Sequence, residues 1–273
     1  YTYEVDVMKK FVLLSSLIFC AVLSFNSMAA EKPLRIGTDC TYPPFTYRDS
    51  AGNIEGFDVD IAREVSSRMG RTPEFVCNPF ASSIPALQAR KFDVLFTAIS
   101  VTEERSKTVN FSIPYRSSIG RFAGASSLDI ELFNADGTPN PKALEGKVIG
   151  LQRSSTYDRY VQENFPGVEV RRYDTAHNMN LDLKAGRVDL IVGSGVNLWS
   201  TLVEPDGENF KFIGPELDKP EYFGIGVAAA MRKNDVQLQE QVNAALESMY
   251  ADGTFKTINL KYWSFTVLPS VWQ

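Results

Sequence analysis

Short apolar runs alternate with amphipathic stretches along most of this sequence, and that alternation leaves few folds open. Residues 34–38, 74–77, 94–96 and 121–125 read as strands, the third apolar enough to be buried on both faces. Between the first two, residues 57–69 place Phe57, Ile61, Val65 and Met69 on one helical stripe, with Gly70 to end it. Residues 83–90 read as a short helix that tolerates Pro85 in its first turn. A loop rich in Asn, Asp, Gly and Pro fills 126–141. The alternation then resumes, with strands at 148–151, 168–173 and 188–192 and helices at 156–164 and 177–185. Segments 196–203 and 210–213 follow, then a long strand at 222–229 and helices at 236–250 and 254–262. Strands spaced by helices build open sheets with helices packed on their faces, which places the chain in the α/β class.

The N-terminal stretch stands outside that pattern. Met8-Lys-Lys, an almost wholly apolar run from Phe11 to Phe25 and the small-residue end Ser27-Met-Ala29 are the three regions of a secretory signal peptide, with cleavage expected after Ala29. Residues 1–7 precede Met8 and are expected to be surplus to the folded protein. The apolar run is shorter than the roughly 20 residues that a membrane span needs. Cys20 follows Phe19 rather than a small residue, which argues against a lipid anchor. What remains is long enough for one large or two medium domains. With 28 basic and 33 acidic residues the formal net charge is −5, and no basic stripe marks a nucleic-acid partner. Export also sets the redox setting. Cys40 and Cys77, which bracket a strand–helix–strand unit, are expected to form a disulfide, the alternative being two separate thiols.

Residues 93–105 carry the chemistry, because a buried strand runs there into a polar turn and a helix start. Thr102 suits an N-cap, Glu103 and Glu104 suit a first turn, and Arg105 falls at the third helical position. From there a guanidinium can reach back over the strand end and hold a carboxylate through two parallel hydrogen bonds, beside the hydroxyls of Thr97 and Ser100. Read alone, the stretch fits a surface arginine neutralised by Glu103 or Glu104 better. The single histidine, His177, rules out a histidine metal cluster, and its setting reads as a solvent-facing helix start. No glycine-rich phosphate loop follows a strand, and no cofactor is expected. Asp58 and Asp60 read as helix-start caps or solvated charges.

Five motifs in order then add up to a likeness. They are Ile36-Gly-Thr-Asp-Cys-Thr-Tyr-Pro-Pro-Phe45, Gly56-Phe-Asp-Val-Asp-Ile61, residues 93–105, Lys184-Ala-Gly-Arg-Val-Asp189 and Ala251-Asp-Gly-Thr-Phe255. Together they resemble the periplasmic polar-amino-acid-binding proteins of ABC importers, nearest to members that bind lysine, arginine, ornithine or histidine and to the opine-binding members. The resemblance covers nearly the whole chain beyond the leader. It implies the type II two-lobed periplasmic binding protein, with two open sheets flanked by helices and joined by a two-strand hinge. Lobe 1 is expected at 30–116 and 224–273, the hinge at 117–120 and 215–223, and lobe 2 at 121–214. It also implies a periplasmic monomer that hands its ligand to a membrane permease and performs no catalysis.

A ligand set follows from the same resemblance. Arg105 matches the residue that clamps the ligand α-carboxylate, with Ser100 and with Ser155 and Thr156 at a helix start, where free N–H groups attract an anion. Tyr42 and Phe80 match the two aromatics that sandwich the ligand side chain. Asp39 matches the carboxylate that meets its distal cation. Two positions depart from the pattern. Ala98, beside Thr97, stands where a small polar residue is common, and Ser194 in Val192-Gly-Ser-Gly195 stands where the basic-amino-acid binders carry an Asp for the α-ammonium. Both departures favour an N-substituted ligand, so an opine such as octopine or nopaline is the alternative to a basic amino acid. The alternative of another class is a dehydratase of arogenate or prephenate type. It would need a tuned general acid or base in the cleft, where Asp39 is the only carboxylate expected.

Overall fold

The computed structural model describes residues 32–268, so the signal-peptide reading lies outside the described residues. Those residues form two five-stranded sheets and a small three-stranded one. In the first large sheet the order is Pro73–Cys77, Leu34–Thr38, Val94–Leu95, Ala230–Arg232 and Val109–Phe111. The first three are parallel, and Ala230–Arg232 runs antiparallel between its two neighbours. The second large sheet has the order Glu169–Tyr173, Val148–Gln152, Leu190–Ser194, Gly120–Ala125 and Phe210–Leu217, with Gly120–Ala125 antiparallel to both strands beside it.

Helices cover both faces of each sheet, as apolar strands with no wet face require. The expected stripe of the Phe57–Arg68 helix packs Phe57, Ile61 and Val65 on Leu34 and Ile36, and Val242, Leu246 and Met249 of the Val236–Ala251 helix join that core. Leu87, Phe92 and Leu95 fill a separate core of the same lobe. In the second lobe Tyr160 of the Thr156–Asn164 helix packs with Ile149 and Leu190. Met179 and Leu183 of the Ala176–Lys184 helix pack on Ile191 in a further core. The chain thus has the two-lobed α/β architecture.

Local chemistry explains most element bounds and one clear departure. Residues 222–229 do not form the long strand that their apolar content suggests. Pro220–Phe223 is one helical turn opened by its proline, and Gly224 follows at φ 74°. A Cβ on Gly224 would lie 2.0 Å from the Val101 carbonyl oxygen, so this is a forced close approach that breaks the pairing. Val227 makes only isolated bridges, to Ser100 and Arg116, and regular pairing starts at Ala230. The small sheet, Thr41–Tyr42, Thr46–Arg48 and Ile54–Glu55, has strands too short for an alternation to show in sequence.

The disulfide follows from register. Thr38 lies opposite Cys77 in the parallel pair, which brings Cys40 to a Cα separation of 5.6 Å from Cys77, and the two are bonded. Breaking the bridge with Cys40→Ser and Cys77→Ser is expected to cost about 3 kcal/mol through the loop it closes. Denaturant unfolding of the double variant against the oxidised protein measures the loss, and alkylation before reduction should label neither cysteine.

Candidate functional site

The strand–turn–helix unit around Arg105 is built as its residues suggest. Val94 and Leu95 are buried, and Thr102 caps the single turn Glu103–Ser106 by accepting from the Arg105 amide at 3.2 Å. The guanidinium of Arg105 donates to the carbonyls of Ser100 at 3.1 Å and of Ser154 at 3.4 Å and lies 5.6 Å from the Phe80 ring centroid. The acids that would neutralise a surface arginine are engaged elsewhere, Glu103 with Lys107 at 3.6 Å and Glu104 with Arg159 at 3.5 Å. Arg105 forms no ion pair among the described residues. Part of its surface meets solvent, yet burial of its charged end pulls the guanidinium down to about 10. The charged end remains a cation at neutral pH.

Arg105 lines a cavity between the lobes, and every residue expected around the ligand lines it too. Asp39, Tyr42, Phe80, Thr97, Ala98 and Ser100 come from the first lobe, and Ser155, Thr156 and Ser194 from the second. Asp39 is 6% exposed and accepts from the Thr41 amide at 3.1 Å and from the Thr41 hydroxyl. Burial is the largest influence on its carboxyl and pushes it upward, against hydrogen bonds from Thr41, the Phe80 amide and the Gln152 side chain. The Tyr42 hydroxyl meets the amide and hydroxyl of Ser194. Ser155 is the N-cap of the Thr156–Asn164 helix and spends its hydroxyl on the Asp158 amide at 3.2 Å.

The cavity also holds Arg116, Ser118, Gln152, Tyr157 and Val227, which the sequence reading did not single out. Tyr157 carries the one available signal, an aromatic just inside the helix start that Ser155 and Thr156 mark. It packs so closely on Gly120 that a Cβ there would lie 2.5 Å from its ring. Arg116 gave no signal. It is 2% exposed, stacks 3.8 Å from the Phe45 ring centroid and donates from Nε to Asp58 at 3.3 Å.

Asp58 is therefore neither a cap nor a solvated charge. It is fully buried, and its second oxygen accepts the Ala98 amide at 2.8 Å, holding Ala98 at φ 55°. Asp60, by contrast, sits among Arg63 at 3.2 Å, Lys261 at 2.6 Å and the Tyr262 hydroxyl at 2.7 Å. Several contacts hold the two lobes together around the cavity. Besides Arg105 with Ser154 and Glu104 with Arg159, Asn197 donates to the Pro43 carbonyl, and the Trp263 indole donates to the Ser200 hydroxyl at 3.3 Å.

Residues 34–265 match the model of the bacterial extracellular solute-binding proteins, family 3. The chain belongs to this family. It is 40% identical to the L-arginine-binding protein of Pseudomonas aeruginosa over 96% of this chain and 100% of that protein. It is 35% identical to the histidine-binding periplasmic protein of Escherichia coli K12, over 95% of this chain and 99% of that protein. Among solved structures, an ancestral arginine-binding protein bound to arginine superposes with a TM-score of 0.77 at 32% identity, covering 86% of this chain and 100% of that one. The protein is thus a solute-binding transport protein and not an enzyme.

Asp58→Asn removes the counter-charge of Arg116 while keeping an oxygen for the Ala98 amide. An uncompensated buried cation is expected to cost about 3–5 kcal/mol of stability. Denaturant unfolding measures it, and a loss below about 1 kcal/mol would mean that Arg116 needs no partner.

Proposed function

We propose that this protein is the periplasmic substrate-binding component of an ABC importer and that it holds a basic amino acid, arginine, lysine, ornithine or histidine, between its two lobes. The observation that carries the reading is the pair of unlike charges in one aromatic-lined cavity. Arg105, cationic and without an ion-pair partner among the described residues, receives the α-carboxylate. Asp39, buried and short of a cation, receives the charged end of the side chain. Tyr42 and Phe80 line the same space and suit the methylenes between. Relatives named for arginine and histidine support the same ligand class.

The segments at 117–120 and 215–223 serve as the hinge that lets lobe 1, 30–116 and 224–273, and lobe 2, 121–214, close over the ligand. One chain supplies residues to the cavity from both lobes, which supports a working monomer that docks on a membrane permease. Relatives named as periplasmic support export, with the leader removed after Ala29.

Arg105→Ala is expected to weaken arginine binding by about 2–5 kcal/mol, because the α-carboxylate loses a charge-assisted partner in an enclosed site. Calorimetric titration reads the loss, and an unchanged melting temperature shows the fold is kept. Affinity for a cationic ligand should also depend on pH through Asp39. Burial raises its folded carboxyl above the ordinary aspartate value, and only the ionised form pairs with the ligand. Binding should therefore hold at neutral pH and fall as the solution is acidified through that raised range, earlier than an ordinary aspartate would dictate. Titrations from about pH 8 to about pH 4 test this, and Asp39→Asn should flatten the profile.

A further inference from the structure

Among the described residues Asp39 is the only carboxylate that lines the cavity, and on the reading above, on which this inference rests, it meets the ligand's distal cation. The next residue restrains it. Cys40 has φ 63°, a left-handed backbone that a residue with a Cβ seldom adopts and that persists only where its surroundings enforce it. The bond to Cys77 is the covalent restraint at that position.

The same bond draws together the two loops that enclose the Asp39 carboxylate. One leaves the Leu34–Thr38 strand and carries Asp39, Cys40 and Thr41, whose amide donates to Asp39 at 3.1 Å. The other leaves the Pro73–Cys77 strand and carries Phe80, whose amide donates to the same carboxylate. The backbone bond from the Asn78 amide to the Thr38 carbonyl at 2.8 Å ends one residue short of Asp39, and beyond it the Cys40–Cys77 bond ties the loops.

The two sulfurs differ in access. Cys40 is 6% exposed, whereas Cys77 is exposed and its Sγ lies 3.1 Å from Nη2 of Arg48. A guanidinium beside an exposed sulfur attracts an attacking thiolate and stabilises Cys77 as one. A dithiol opens such a bridge by exchange. Its first thiolate attacks Cys77 Sγ, the Cys40–Cys77 bond breaks, and Cys40 leaves as a thiolate that takes up a proton. Its second thiolate displaces Cys77, which takes up the other proton, and the dithiol is left as a cyclic disulfide. Two electrons and two protons pass from the dithiol to the bridge.

We propose that Cys40, through its bridge to Cys77, is the positioning residue for Asp39, and that a dithiol which opens the bridge lowers the affinity of the cleft for cationic ligands.

The test is calorimetric titration of the full protein with arginine and with citrulline, which has the same length and a neutral end. It is run on the oxidised protein, on the protein treated with dithiothreitol and on Cys40→Ser/Cys77→Ser, with thermal melting to check that each opened form is folded. Opening is expected to weaken arginine binding at least about ten-fold and citrulline binding less than about three-fold. Equal losses for the two ligands in a folded opened form overturn the proposal, as does an unchanged affinity for arginine. A second measurement needs no folded opened form. Wild type is equilibrated with reduced and oxidised dithiothreitol, at arginine and citrulline concentrations that occupy the oxidised protein equally, and alkylation reads the bridged fraction. Linkage requires arginine to hold the bridge closed more strongly than citrulline does. Equal protection means that ligand and bridge meet only through the stability of the fold, and it too overturns the proposal. If arginine does not bind the oxidised protein, the reading of the cleft as a basic-amino-acid site falls first and takes this inference with it.

Discussion

A buried ion pair between Asp58 and Arg116 fastens together the parts on which the cleft depends. Asp58 belongs to the first turn of the Phe57–Arg68 helix, and Arg116 leads into the first crossing between the lobes. Through its second oxygen Asp58 also fixes Ala98, whose left-handed backbone turns the chain from the Val94–Leu95 strand toward Ser100 and Arg105. Such a pair is weak evidence of net stability, since desolvation offsets most of its attraction. Its value here is geometric. Each charge is held where it is because the other cannot be left alone, and the backbone that presents the residues proposed to bind ligand is held with them.

The cleft divides its charges by function. Arg116 has a fixed protein partner, whereas Arg105 has carbonyls for company and no ion-pair partner among the described residues. Asp39 is surrounded by donors yet lifted by burial. Two incomplete electrostatic environments of opposite sign in one enclosure describe a site whose missing charges belong to a zwitterion. The contacts that span the cavity, from Arg105 to Ser154 and from Glu104 to Arg159, join the lobes at the guanidinium proposed to receive the ligand carboxylate.

Much of this was written in local pattern. The Thr156–Asn164 and Thr254–Tyr262 helices, the cap at Thr102 and the cysteine pair depend on neighbours in sequence or on adjacent strands, so periodicity and spacing reveal them. Pattern failed at residues 222–229, where apolar content mimicked a strand. There Pro220 opens a turn and Gly224 passes within 2.0 Å of a distant carbonyl if given a Cβ, a constraint set by Val101 across the fold. Asp58 failed for a related reason. An aspartate in the first turn of a helix is an ordinary solvated charge unless a cation 58 residues away is buried beside it.

The sequence by itself determined the alternation of strand and helix and the place of Arg105 at the mouth of a strand, because each is a matter of residue type at short range, whereas the Cys40–Cys77 bridge stood as an expectation until the strand register brought the two together. The ten residues expected around the ligand were named from motifs, and they meet in one cavity. Only the tertiary structure decided that Glu103 and Glu104 turn to Lys107 and Arg159 and leave Arg105 without an ion-pair partner among the described residues. It alone placed Arg116, Gln152 and Tyr157 beside that cavity. Whether a charge is spent or left for a ligand depends on which groups the fold brings within a few ångströms and how far it removes them from water. Neither quantity is carried by the order of residues along the chain.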